Sequence, residues 1–329
     1  MPSLASAPYE PSSSIALTPR PAVSRPELTT TVPRQYVHRA SVSEVLLTGW
    51  EQAPDSPADG AESFVVRAQW PRGHSLFSQV AGYQDPMLLI ESVRQIGSLL
   101  SHAEFGAPFG HQFLMWDMSF ATTAEMLVAG PAPTELELHT VCSDVVRRGR
   151  TLSSMRYDVT AVVDGVALAT GRAGFSCTSP AVHRRLRGDR PTSTGYIPGR
   201  PIDPARVGRT GAGHVVLAEG DAEAGANRWA LRVDTTHPIF FDHPVDHVPG
   251  MVLLEAARQA AHASTGMADA LVLALDSTFT RYAELDAPCL IEATPGRPDA
   301  SGVVRVTVEG TQQGQTVYSA DLVLRPRDR

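Results

Sequence analysis

Two short runs in the sequence pair a carboxylate with a guanidinium and an amide: Glu91-Ser-Val-Arg94-Gln95 and Glu255-Ala-Ala-Arg258-Gln259. At spacings i, i+3 and i+4 the three side chains of each run share one face of a helix. Glu255 there can accept a proton from an attacking hydroxyl, and Arg258 opposes the upward pKa push that burial exerts on a carboxyl. The guanidinium can instead hold a phosphate in a two-pronged contact. The second run follows a polar loop, Asp242-His243-Pro244-Val245-Asp246-His247-Val248-Pro249-Gly250. The N–H groups of Gly250 and Met251 then fall at the positive end of the helix, placed to polarise a thioester carbonyl and hold the oxyanion of a tetrahedral intermediate. The first run is approached by Gln79-Val-Ala-Gly-Tyr-Gln84, without that loop, so the second is expected to carry the main site. A structural reading stays open: the pairs can stitch helix to sheet, since breaking a buried ion pair costs about 3–5 kcal/mol.

The elements that must position these groups emerge when the chain is aligned with itself. Glu91, Arg94 and Gln95 are each 164 positions from Glu255, Arg258 and Gln259, and His74-Ser-Leu-Phe77 answers His237-Pro-Ile-Phe240. Phe64-Val-Val-Arg67 answers Trp229-Ala-Leu-Arg232, and Asp117-Met-Ser-Phe120 answers Asp276-Ser-Thr-Phe279. One unit has been duplicated. Each copy reads strand, long apolar helix, then several strands. Pro86 and Pro249 suit helix starts, and Gly106 and Gly266 suit helix stops. Apolar residues run nearly all round the first helix, so it is enclosed rather than laid on a surface. Ser154 to Val163, Asp164-Gly165 and Val166 to Thr170 form an alternating hairpin with an Asp-Gly turn. One buried helix wrapped by an antiparallel sheet is the hotdog arrangement, and the expected fold class is α+β, a tandem hotdog. The expected organisation is a flexible tail at 1–35, a first hotdog at 36–180, a linker at 181–206 and a second hotdog at 207–329.

Composition narrows the function. The chain has 329 residues, a formal charge of −7 and 28 basic residues, all of them arginine. An acidic chain of this kind does not suit a protein devoted to nucleic acid. Cys142, Cys177 and Cys289 are too few and too scattered for a zinc site or a disulfide framework. No secretory leader and no apolar stretch of about 20 residues is present, so a cytoplasmic setting is expected. No metal or redox cofactor is implied.

The run from His243 to Ala261 resembles the catalytic segment of the hotdog β-hydroxyacyl-carrier-protein dehydratases, in which a Pro-Gly step precedes an apolar run ending in the active-site acid. The dehydratase histidine, fourteen residues before that acid, is matched here by Phe241 and, in the first copy, Phe77. From Val37 to about Leu324 the chain is more closely similar to the A-factor biosynthesis (AfsA) family. The matches are Asp246 to Met251, Leu254 to Gln259, Leu89 to Gln95, His111 to Met115, Phe175 to Pro180, Arg184 to Gly188 and Arg281 to Glu284. The resemblance implies transfer of a β-ketoacyl group from the phosphopantetheine of acyl carrier protein to the hydroxyl of dihydroxyacetone phosphate, on the way to a γ-butyrolactone. By matching position it makes Glu255, Arg258 and Glu91 catalytic, with Arg94 added. Gln95, Gln259, Asp246, His247, Gly250 and Met251 are the accompanying substrate-binding candidates. Arg184, Arg185 and Arg187 would suit docking of an acidic carrier protein, or else belong to a solvated linker. A thioesterase or dehydratase acting on acyl thioesters, and a non-catalytic lactone binder, are the alternative readings.

Overall fold

The computed structural model describes residues 29–54, 60–190, 192, 199–219 and 226–327. Residues 1–28 of the expected tail lie outside them. Of its remaining residues, Val32 is buried and its N–H donates to the Leu47 carbonyl.

The first half contains β1 (Leu47–Gln52), β2 (Glu62–Trp70), α1 (Met87–Ala103), β3 (Gln112–Thr122), β4 (Thr134–Arg148), β5 (Thr151–Val163) and β6 (Val166–Thr178). After α2 (Pro180–Arg187), the second half repeats the series: β7 (Leu217–Ala218), β8 (Arg228–Leu231), α3 (Gly250–Thr265), β9 (Leu271–Phe279), β10 (Cys289–Pro295), β11 (Val304–Gln312) and β12 (Gln315–Arg325). Among the described residues the strands join one antiparallel sheet in the order β1-β2-β4-β5-β6-β3-β9-β12-β11-β10-β8-β7. Read outward from its middle, the sheet runs through the same series twice. The seam is the β3–β9 pairing, Asp117 opposite Thr278 through Ala121 opposite Ala274. The tandem hotdog is therefore one continuous twelve-stranded sheet with a helix enclosed in each half.

The strands alternate as a half-buried sheet requires. In β11, Val304, Val306 and Val308 face inward while Arg305, Thr307 and Glu309 face out. The β5–β6 turn places Asp164 and Gly165 at φ 50° and 77°, the left-handed pair a two-residue hairpin needs. Both helices are buried along almost their whole length. The repeat also extends upstream of the expected second domain. A 3₁₀ turn at Arg34–Val37 is answered by one at Pro204–Val207, and each ends in a left-handed residue, His38 (φ 53°) and Gly208 (φ 64°). The stretch expected as linker is not all irregular: Ser179 caps α2, its hydroxyl accepting from Val182 N–H.

Candidate active site

The Glu-x-x-Arg-Gln faces form two equivalent clusters, each larger than its motif. Glu91 is bound by Arg94 (Nε to Oε2 2.9 Å, Nη2 to Oε1 2.7 Å), by Gln95 Nε2 at 2.7 Å and by Arg39 Nε at 3.0 Å. Glu255 is bound by Arg258 (2.9 and 2.8 Å), by Gln259 Nε2 at 2.6 Å and by Arg209 Nε at 2.9 Å. Burial alone would raise both carboxyls. The two guanidiniums beside each, with the amide bond, hold them instead at about 2. Arg39 and Arg209 come from just after the 3₁₀ turns and also tie the helix of one half to a loop of the other. Arg39 Nη1 donates to Ile239 O at 2.8 Å, and Arg209 Nη1 to Leu76 O at 2.6 Å.

The two glutamines are anchors. Gln95 donates to Glu44 O and accepts from Leu46 N–H, and Gln259 donates to His214 O and accepts from Val216 N–H. Both are fully buried with their polar atoms used within the protein, so the expectation that they bind substrate is corrected: they fasten each helix to the strand that follows the 3₁₀ turns.

Beside each cluster lies a space at the boundary of the halves, and the two are unequal. A cavity of about 740 Å³ opens beside Arg94, between α1 and the loop leading into α3. Arg94, Asp246, His247, Gly250 and Met251 line it. Glu255, Arg258 and Gln259 do not. Arg258 faces the other space, a recess of about 40 Å³ lined also by Tyr83, Asp85, Gly208 and His262. The expected main site is thus split: the loop and helix start of the second half face Arg94 of the first, while Glu91, buried like Glu255, does not line the cavity. Glu255 is wholly enclosed with both oxygens held by cations, which leaves it no path to a substrate proton in this arrangement.

The helix starts differ in the same sense. Pro249 precedes α3 and offers no side-chain cap, and the N–H groups of Gly250 and Met251 have no partner among the described residues. At the equivalent place before α1, Asp85 accepts from Met87 N–H at 2.9 Å and pairs with Arg209 Nη1 at 2.9 Å. The α1 start is occupied by the protein's own anion; that of α3 is free for another.

The loop before α3 is held by α2. Arg187 donates through Nε to Asp246 Oδ2 (3.0 Å) and through Nη1 and Nη2 to Glu284 (2.7 and 2.8 Å), with its guanidinium 4.0 Å from the centre of the Tyr282 ring. Asp246 also accepts from His183 Nε2 (3.1 Å) and His247 Nδ1 (2.7 Å), and these contacts hold its carboxyl well below the usual range, His247 foremost. Arg187 is therefore a buried clamp and not part of an exposed docking patch. Arg184 and Arg185 are exposed, and Arg184 lines the cavity together with Arg281.

A family model, AfsA: A-factor biosynthesis hotdog domain, matches residues 22–179 and 197–326. The chain belongs to the AfsA family. Among curated AfsA-like relatives, 2-oxo-3-(phosphooxy)propyl 3-oxoalkanoate synthase of Streptomyces virginiae is 51% identical over 89% of this chain and 97% of that one. Its namesake in Streptomyces coelicolor is 40% identical over 88% and 90%. Among solved structures, the 12:0-ACP thioesterase of Umbellularia californica superposes with a TM-score of 0.50 at 11% identity, over 80% of this chain and 94% of that one, a likeness of fold alone.

Within this AfsA-family fold, sequence reasoning passed over several lining or supporting groups: Arg39, His38, Ser98 and His102. Arg39 and Arg209 had a usable signal, Val-x-Arg ahead of a Val-rich strand in both copies, but at a spacing of 170 rather than 164.

Proposed function

We propose that this chain transfers a β-ketoacyl group from a carrier-bound thioester to the hydroxyl of dihydroxyacetone phosphate, giving a phosphorylated β-keto ester. The observation that carries this reading is the cavity of about 740 Å³, which brings an uncapped helix start, unpaired guanidiniums and an apolar wall together. Phe113, Met115, Phe175 and Leu254 supply apolar surface for the acyl chain. The N–H groups of Gly250 and Met251 receive the thioester oxygen as it becomes an oxyanion, where preorganised donors act most strongly. Arg184 and Arg281 line the cavity without a carboxylate partner among the described residues, and both acceptor and phosphopantetheine arm carry phosphate for such cations to hold. Glu91 keeps Arg94 fixed at the wall; Glu255 and Arg258 do the same structural work in the second half. Acyl carrier protein docks beside α2, where Arg184, Arg185 and the exposed Leu186 present charge and apolar surface to an acidic partner. No metal or redox cofactor takes part. The relatives' name, with its phosphooxypropyl and oxoalkanoate parts, supports the choice of acceptor and donor.

The test is incubation with a β-ketoacyl thioester and dihydroxyacetone phosphate, followed by mass spectrometry. Phosphorylated ester that forms only when both substrates are present is the expected result. Free acid forming at the same rate without the acceptor would make the protein a thioesterase and overturn the reading.

A further inference from the structure

Outside the two clusters, His38 lines the cavity and pairs with His102 on α1. His38 Nε2 stands 2.7 Å from His102 Nε2, and His102 Nδ1 stands 2.7 Å from the Ala107 carbonyl oxygen. A carbonyl can only accept, so His102 carries its proton on Nδ1 and presents a lone pair at Nε2. His38 must then donate from Nε2, which leaves its Nδ1 as a bare lone pair with no partner among the described residues. Burial first, then the charges of Arg94 and His102 on α1 and of His243 on the loop before α3, push the His38 pKa down to about 3 and keep the ring neutral. The ring is steadied edge-on by Phe113 at 4.7 Å.

The duplication supplies an independent argument. His38 is a side-chain-bearing residue in the left-handed region, a conformation L-residues rarely hold without a reason. The equivalent residue of the second half is Gly208, where a Cβ would come within 2.4 Å of the Ala268 carbonyl oxygen. The half with the closed recess keeps the glycine that this turn prefers. The half with the open cavity places an imidazole there, on the cavity wall.

We propose that His38 is the catalytic base of the acyl transfer, and that His102 is the positioning residue that sets its tautomer. The inference rests on the acyl-transfer reading above. The acceptor's O–H proton passes to His38 Nδ1 as its oxygen bonds to the thioester carbon. As the tetrahedral intermediate collapses, the C–S bond breaks and the same proton passes to the departing sulfur, giving ester and free thiol with His38 neutral again. The acceptor's phosphate, drawn in by the arginines, offsets the positive field around His38 and raises its basicity when substrate is bound.

The experiment compares wild type with His38→Gly, which copies Gly208, and His38→Asn, a residue that tolerates the left-handed region. Both are expected to lose about 10²–10⁴-fold in kcat, the range of general-base catalysis, with the KM for dihydroxyacetone phosphate little changed. Added imidazole is expected to restore turnover in His38→Gly. His102→Gln, whose amide can still donate to Ala107 and accept from His38, should keep most of kcat, whereas His102→Leu should not. Either His38 variant keeping kcat within about threefold of wild type, a loss in KM alone, or no response to imidazole would overturn the proposal. So would a comparable kcat loss found only on replacing His247, which would assign the base to the Asp246–His247 pair. A wild-type protein that makes no ester would instead defeat the acyl-transfer reading itself.

Discussion

The two boundary spaces were built from one duplicated plan and have diverged, and the residues that differ are more informative than those that match. Glu-x-x-Arg-Gln and its second arginine occur in both halves with nearly the same bond lengths. A feature shared by an open cavity and a closed recess cannot be what makes one of them a site; it is the frame of both. The differences lie around it. Around the open cavity Pro249 stands where the closed recess has Asp85, His247 where it has Tyr83, Ser98 where it has His262, and His38 where it has Gly208. Each change empties, polarises or uncaps the open side.

The comparison can be broken most forcefully at the frame. Replacing either buried glutamate by alanine strands two guanidiniums, and a loss of about 3–5 kcal/mol in unfolding free energy is expected for both Glu91→Ala and Glu255→Ala. Urea titration measures it. A Glu255 variant that stays fully stable but inactive would return that residue to a catalytic role.

Next comes the helix start. Gly250→Pro puts at the first position of α3, where proline is accepted, the residue that Pro86 supplies just before α1, and the nearest atoms to an added Cβ are at 3.4 Å on Phe279. It deletes one N–H donor, so kcat is expected to fall about 10²–10³-fold with the melting temperature nearly unchanged. Pro249→Asp would copy the internal cap of α1, adding about 1 kcal/mol of stability while lowering activity through its carboxylate. Thermal melting and steady-state rates on one sample would show the opposite signs.

Acid should weaken the two halves together. The glutamates have folded pKa values of about 2, below the ordinary 4.5, so their stabilisation is complete above pH 4.5 and is lost as pH falls toward 2. His38 and His262, held at about 3, and His237 at about 4, begin to cost stability earlier, once pH drops below 6.5, because the unfolded chain binds those protons first. Stability is therefore expected to decline from pH 6.5 downward, as followed by denaturant titration; a maximum near pH 4 would contradict these assignments. The smallest effect belongs to the closed recess. His262→Ser, which copies Ser98, is expected to leave kcat within about twofold, because His262 only ties the end of α3 to the Met267 carbonyl and touches no substrate.

The sequence made the duplication, the enclosed helices and the hairpin at Asp164-Gly165 largely legible, because periodicity and a fixed spacing survive in a single chain. It also named the free N–H groups at Gly250 and Met251. It misplaced Glu255, Arg258 and the two glutamines because helical spacing says which residues share a face but not what that face meets. A buried carboxylate held by two cations and one facing a substrate share the same motif. His38 escaped notice for a different reason. Its importance depends on a left-handed turn, a histidine 64 positions away and a glycine in the other half, none of which is a local pattern. Arg187 was taken for a surface charge because its partners, Asp246 and Glu284, lie far along the chain.

A crystal structure of the protein with a non-transferable β-ketoacyl-pantetheine analogue would test the central claim most directly. The analogue's carbonyl oxygen should sit within hydrogen-bond reach of the Gly250 and Met251 N–H groups, with its chain in the cavity beside Arg94. An analogue bound instead against Arg258 and Asp85, in an opened second recess, would show that the other half of the duplication carries the reaction.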